Sequence, residues 1–246
     1  MSEKNEGKGE GLDQEKLLLL LNTLYSKVLD GIPVISKPLE QFANGYIYKS
    51  STRRSAARKL IDTQVAKCLA SGAATGFGGI ITLPVTIPAN VVSVLYIEMR
   101  MVAAIAYIGG YEIDSEEARS LIYACMADVN VSHVLTRSGI AAGKKFVRSI
   151  GKKIPEKVLV AINERVALKL LTKLGSKGAI NIGKMIPLLG AGLSGVLDLA
   201  ESRIIGDRAY RWFVQNDFSD KRKRTPRKKR AYRGVIDTTC TIKRET

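Results

Sequence analysis

Glu98 and Arg100 are the only charged residues in the apolar run from Ile87 to Ile108. Two residues apart on a helix, they lie roughly 200° from each other around the axis. They cannot pair within that helix, and a buried charge without a partner costs several kcal/mol. Each therefore calls for a partner on another element. Asp198, Glu201 or Asp128 can serve Arg100, and Arg203 or Arg208 can serve Glu98. Glu98, Arg100 and Asp198 form the candidate buried polar core. A carboxyl in such a place can act as an acid or base, contribute to an apolar-ligand site, or be one half of a structural ion pair; the ion pair is the simplest of these.

Other catalytic chemistry finds little to build on. The single histidine, His133, would have to serve every role that nucleophilic catalysis requires, and it reads as an ordinary packed side chain. Gly76-Phe77-Gly78-Gly79 has the glycine content of a phosphate loop but neither the GxxxxGK[ST] nor the GxGxxG pattern. The three cysteines, Cys68, Cys125 and Cys240, are widely spaced and odd in number, which fits reduced thiols in the core or tail. No catalytic residue, cofactor or metal site is expected from these residues.

The net charge of +16 over 246 residues points to a partner rather than a reaction. It is concentrated in two segments: residues 219 to 246 hold eleven Lys/Arg against three acids, and residues 137 to 177 hold eleven against two. The remainder is close to neutral. In the tail, Lys221, Arg222, Lys223, Arg224, Arg227, Lys228, Lys229 and Arg230 repel one another and have no apolar face to bury, so residues 218 to 246 are expected to be disordered. Anionic lipid suits such a cluster, each Lys/Arg near the surface contributing on the order of 1 kcal/mol. Nucleic acid suits it too, through phosphate neutralisation. In the second segment Lys157, Arg165, Lys169 and Lys173 recur at multiples of four beside Val158, Leu159, Ile162, Val166 and Leu170, the pattern of a basic amphipathic helix.

The elements that must position these groups read as helices nearly throughout. The first runs from Leu12 to Asp30 and exits at Gly31 before Pro33. A second begins after Ser50-Ser51, and its later part carries Ala70/Ala74 and Gly72/Gly76, small residues four apart that permit close helix approach. From Cys68 to Ile97 no residue is charged, but Gly76, Gly78, Gly79, Pro84 and Pro88 divide the stretch, so a bent helix pair is expected rather than one membrane span of about 20 residues. Pro88 suits the first turn of the next helix, which ends at Gly109-Gly110. Asp114-Ser115-Glu116-Glu117 reads as a capping box with Asp114 as the cap. Pro155 opens the basic helix, which should close at Gly175, and a second Ile-Pro step at Ile186-Pro187 leads through Gly190 into a helix ending at Trp212-Phe213. Residues 1 to 11 read as a flexible leader with no signal-peptide pattern, and residues 12 to 217 as one all-α domain with glycine- and proline-hinged apolar helix pairs.

Several of these pieces occur in a family order. Gly76-Phe77-Gly78-Gly79, Leu83-Pro84, Ile87-Pro88, Glu98-Met99-Arg100, Ile105 to Tyr111, Ile186-Pro187-Leu188-Leu189-Gly190, Gly195-Val196-Leu197-Asp198 and Ala209 to Phe213 together resemble the EcsC family over residues 55 to 215. The family takes its name from a protein associated with an ABC transporter locus. The resemblance implies a cytosolic or membrane-associated bacterial protein and carries over no catalytic residue. Together with the charge pattern it gives the expectation of a non-catalytic, cytoplasmic protein peripheral to the membrane, with anionic lipid or a membrane protein such as an ABC transporter as partner. A nucleic-acid-associated protein using the tail is the alternative, and an apolar-ligand carrier or enzyme using Glu98 is the third reading. Hydropathy scores protein, ligand and bilayer alike as surroundings for the apolar segments.

Overall fold

The first helix, α1 (Gln14–Asp30), is set by its cap and its leucines. Asp13 accepts the backbone N–H of Lys16 at 2.8 Å, and Leu17, Leu20, Leu21, Leu24, Tyr25 and Val28 place one buried stripe along the helix. The structure is a computed structural model, and it describes residues 13–71, 89–139, 154–179 and 190–218. Among them are eight α-helices and no strand, so the chain is all-α as expected. The leader, the glycine and proline hinge at 72–88, the stretch Ile140-Ala141-Ala142-Gly143, the Ile186-Pro187 step and the basic tail lie outside the described residues.

After α1 comes a loop closed by an isolated antiparallel bridge between Ile32 and Ser36, and then α2 (Leu39–Ile47), which begins directly after Pro38. The sequence pattern had not marked this nine-residue helix. α3 (Arg53–Ser71) follows and buries Ala56, Ala57, Leu60, Ile61 and Gln64. The central element is α4 (Ala89–Gly109), packed against α1, α2, α3, α5 (Glu116–Met126) and the last helix, α8 (Gly190–Ala209). Its window Val92–Gly109 is long and apolar enough to cross a membrane, yet 83% of it is buried by the rest of the chain. Protein is thus the main surroundings of the apolar helix that carries Glu98 and Arg100.

Two boundaries differ from the sequence reading. α5 is capped by Ser115, not Asp114: Ser115 has extended backbone, and its hydroxyl accepts the N–H of Ala118 at 3.2 Å while donating to the Glu112 carbonyl at 2.6 Å. Glu116 and Glu117 then occupy the first turn, where the helix dipole favours negative charge. The basic helix, α7 (Glu156–Ala179), runs past Gly175, because one internal glycine costs only about 1 kcal/mol and does not by itself end a helix. Between α5 and α7 lies the short α6 (Val131–Arg137), capped by Asn130. The described part of α7 rests on α1, α5 and α6, and that of α8 on α3, α4 and α5. α8 passes into a π-helical turn at Tyr210–Val214, where Phe213 meets Tyr111 edge-on and Trp212 and Phe218 pack with Phe213.

Candidate functional site

The two charges of α4 serve opposite sides of the bundle. Arg100, 6% exposed, faces the α1–α2 loop: it donates to the Lys37 carbonyl at 2.6 Å and to the Tyr96 hydroxyl at 3.3 Å, and its guanidinium lies 4.3 Å from the Phe42 ring centre. Tyr96 is in turn 2.7 Å from the Ser36 hydroxyl. Glu98, 5% exposed, faces α8 and accepts from the Ser202 hydroxyl at 3.0 Å. Among the described side chains, four of the candidate partners are themselves in ion pairs. Asp128 pairs with Arg208 at 2.8 Å, Glu201 with Lys173, and Arg203 with Asp62 and Asp207. The reason is directional: Arg100 points away from the α5–α7–α8 side, where Asp128 and Glu201 sit. Asp198 is on α8 but outside the residues whose side chains are described. Of the groups around Arg100, Tyr96 was legible in principle as its i−4 neighbour, whereas a backbone carbonyl such as that of Lys37 has no sequence signature.

On that far side the ends of α5, α7 and α8 enclose a cleft of about 570 Å³ with Met126, Leu168 and Ile205 among its walls. The charged groups lining it are tied to the fold. Lys169 donates to the Asp128 carbonyl, Lys173 pairs with Glu201, and Arg208 donates to the Cys125 carbonyl at 2.5 Å. This divides the basic stripe of α7. A four-residue step overshoots one turn by roughly 40°, so the four such steps from Lys157 to Lys173 rotate the stripe by roughly 160°. Lys157 is in solvent and Arg165 is half-buried, whereas Lys169 and Lys173 are turned onto α5 and α8. Val160 and Leu168, 49% and 52% exposed, accompany Lys157 and Arg165 on the outer face.

His133 does not pack into the core; it is exposed on α6, and its backbone N–H donates to the Asn130 side chain. No group of three or more His, Cys, Asp or Glu placed to hold a metal occurs among the described residues. Cys125 is fully buried, and burial pushes its thiol up to about 12. Alkylation of the folded protein at pH 8 should therefore leave Cys125 unmodified, and full modification should require denaturant; peptide mapping by mass spectrometry reads the difference.

The sequence model of the EcsC protein family matches residues 13–213, from the cap of α1 to the π-helical turn. The chain belongs to the EcsC family. No curated protein and no solved structure matches it. The matched span begins well before residue 55, so the EcsC unit includes α1 and α2, the elements that receive Arg100. The tail cations from Lys221 to Arg230 lie beyond both the match and the described residues.

Proposed function

We propose that this EcsC protein is a non-catalytic factor that works at the cytoplasmic face of a membrane, held there by anionic lipid. The supporting observation is the outer face of α7, where the exposed Lys157 and half-buried Arg165 flank the exposed Val160 and Leu168, with the exposed Glu164 among them. Such a face can lie in the headgroup region with its aliphatic groups down and its cations at the phosphates. The basic tail adds a second electrostatic contact of the same sign. A hydrogen bond to the Asp128 carbonyl holds Lys169 and an ion pair with Glu201 holds Lys173, so in the described part of α7 Lys157 and Arg165 are the cations offered to the surface.

Co-sedimentation of the full chain with phosphatidylserine/phosphatidylcholine vesicles tests the reading. Binding should be strong at low salt and should weaken as screening rises. Replacing Lys157 and Arg165 together by alanine should lower the partition coefficient up to roughly 30-fold, at about 1 kcal/mol per cation. Indifference to anionic lipid at low salt would sink the proposal. Steeply salt-dependent nucleic-acid binding that vanishes on deletion of residues 219 to 246 would support the tail-mediated alternative instead.

A further inference from the structure

The loop between α1 and α2 combines strain, exposure and unusually firm anchoring. Val34 is wholly exposed, at 108% of its reference area, Ile35 is 38% exposed, and Pro33 beside them is also exposed. Val34 has φ +67°, a left-handed conformation that a β-branched residue rarely adopts. Backbone of this kind persists only where its surroundings impose it. Here they do. Ile32 N–H donates to the Ser36 carbonyl at 3.0 Å and is 2.9 Å from the Ser36 hydroxyl; Ile35 and Ser36 N–H return to the Ile32 carbonyl at 3.0 and 2.8 Å. Below the loop, buried Tyr96 meets the Ser36 hydroxyl and buried Arg100 grips the Lys37 carbonyl. At the entry, Gly31 has φ +78°, and a Cβ there would sit 2.5 Å from the Ser36 carbonyl oxygen. The core's buried cation thus holds in place a loop whose tip displays only apolar side chains.

We propose that Pro33-Val34-Ile35 is a tip that inserts into the interface of a phospholipid bilayer, a role that rests on the membrane-surface reading above. Entry into a poorly hydrated layer is limited by backbone groups that lose water. In this tip Pro33 has no N–H and the N–H of Ile35 is bonded inside the loop, so only the N–H of Val34 is not bonded within it. Three side chains are too few for a protein interface, which needs about 800 Å² per partner, whereas a bilayer accepts single aliphatic groups. Lys27 and Lys37 are exposed beside the loop at the level of the headgroups, but Asp30 and Glu40 are exposed there as well. The loop's contribution is therefore apolar and weakly dependent on salt, in contrast to that of α7 and the tail.

The full chain carrying Val34→Trp tests the insertion with vesicles of phosphatidylserine and brominated phosphatidylcholine, the buried Trp212 serving as a constant background. The Val34→Trp protein should show a blue shift and bromine quenching absent from the parent. Val34→Asp should lower vesicle partition about ten-fold or more. Val34→Gly should also weaken partition while holding or raising the melting temperature, because it relieves the left-handed strain; a merely structural Val34 would not separate the two readouts. If the parent partitions but Val34→Trp is unquenched and Val34→Asp binds normally, the insertion is wrong and the membrane reading stands. If the parent ignores vesicles altogether, both fall. Loss of binding to protein-containing membranes with unchanged binding to pure lipid would overturn insertion in favour of a protein contact.

Discussion

Replacing Gly109 by alanine should destabilise this protein by about 3 kcal/mol or more, at the upper end of what overpacking costs. Gly109 is the last residue of α4 and lies against the π-helical turn that follows α8. A Cβ at this position would come 2.9 Å from the Phe213 carbonyl carbon and closer still to its oxygen. Backbone cannot rotate aside as a side chain does, so either α4 or the turn must move. Moving the turn is costly, because Phe213 is fully buried and meets the Tyr111 ring edge-on at 5.0 Å and Phe218 at 6.3 Å. The helix propensity gained by the change is at most about 1 kcal/mol, too little to offset the clash. Gly45 provides the contrast: it lies within α2 with nothing within 4 Å of a built Cβ, so alanine there should be neutral or stabilise by about 0.5–1 kcal/mol. Urea midpoints of the two variants decide the matter. Equal midpoints would mean that α4 and the π turn are not packed as described. For a domain whose total stability is about 5–15 kcal/mol, the expected Gly109→Ala loss is large enough to reduce the folded yield.

That contact also shows where sequence reading stops. The end of α4 at Gly109-Gly110 was legible, because paired glycines after a long apolar helix mark an exit. Its close approach to Phe213, more than a hundred residues later, was not, since no local pattern announces which backbone a glycine faces. The all-α class, the exit of α1 at Gly31 and the enclosure of α4 followed from periodicity and from the lack of a polar face. Ser115 displaced Asp114 as the cap of α5 because neighbouring residues both suited the role and only backbone geometry separates them. The α7 stripe was visible as a spacing, but its rotation onto α5 and α8 emerges only when each four-residue step is added to the next. The exit of α1 at Gly31 before Pro33 announced a turn over residues 31 to 38, but its strain could not be read from Pro33-Val34-Ile35, which is ordinary as composition.

Arg100 is served by a carbonyl, a hydroxyl and a ring where the sequence offered Asp128 and Glu201, and the difference is testable. A carbonyl and a ring give a buried guanidinium less than a carboxylate would, but the planar fork donates in its plane while its face lies on the ring, an arrangement that the compact lysine ammonium does not reproduce. Arg100→Ala should therefore cost about 3–5 kcal/mol, summing a cavity, the lost ring contact and the unsatisfied carbonyl of Lys37. Arg100→Lys should recover only part of this, with a deficit of about 1–3 kcal/mol, because charge returns without the fork. Neutralising Asp128 or Glu201 should not reproduce the effect, since those carboxylates pair with Arg208 and Lys173. Damage from Arg100 should also be local before it is global. Its grip on Lys37 secures the base of the α1–α2 loop, so limited proteolysis of Arg100→Lys should cut within residues 31–38 at denaturant concentrations that leave α4 protected from hydrogen exchange. If Arg100→Lys instead matches the parent in midpoint and in loop cleavage, Arg100 acts as a point charge rather than a fork, and the loop is secured by Tyr96 and Ser36 alone.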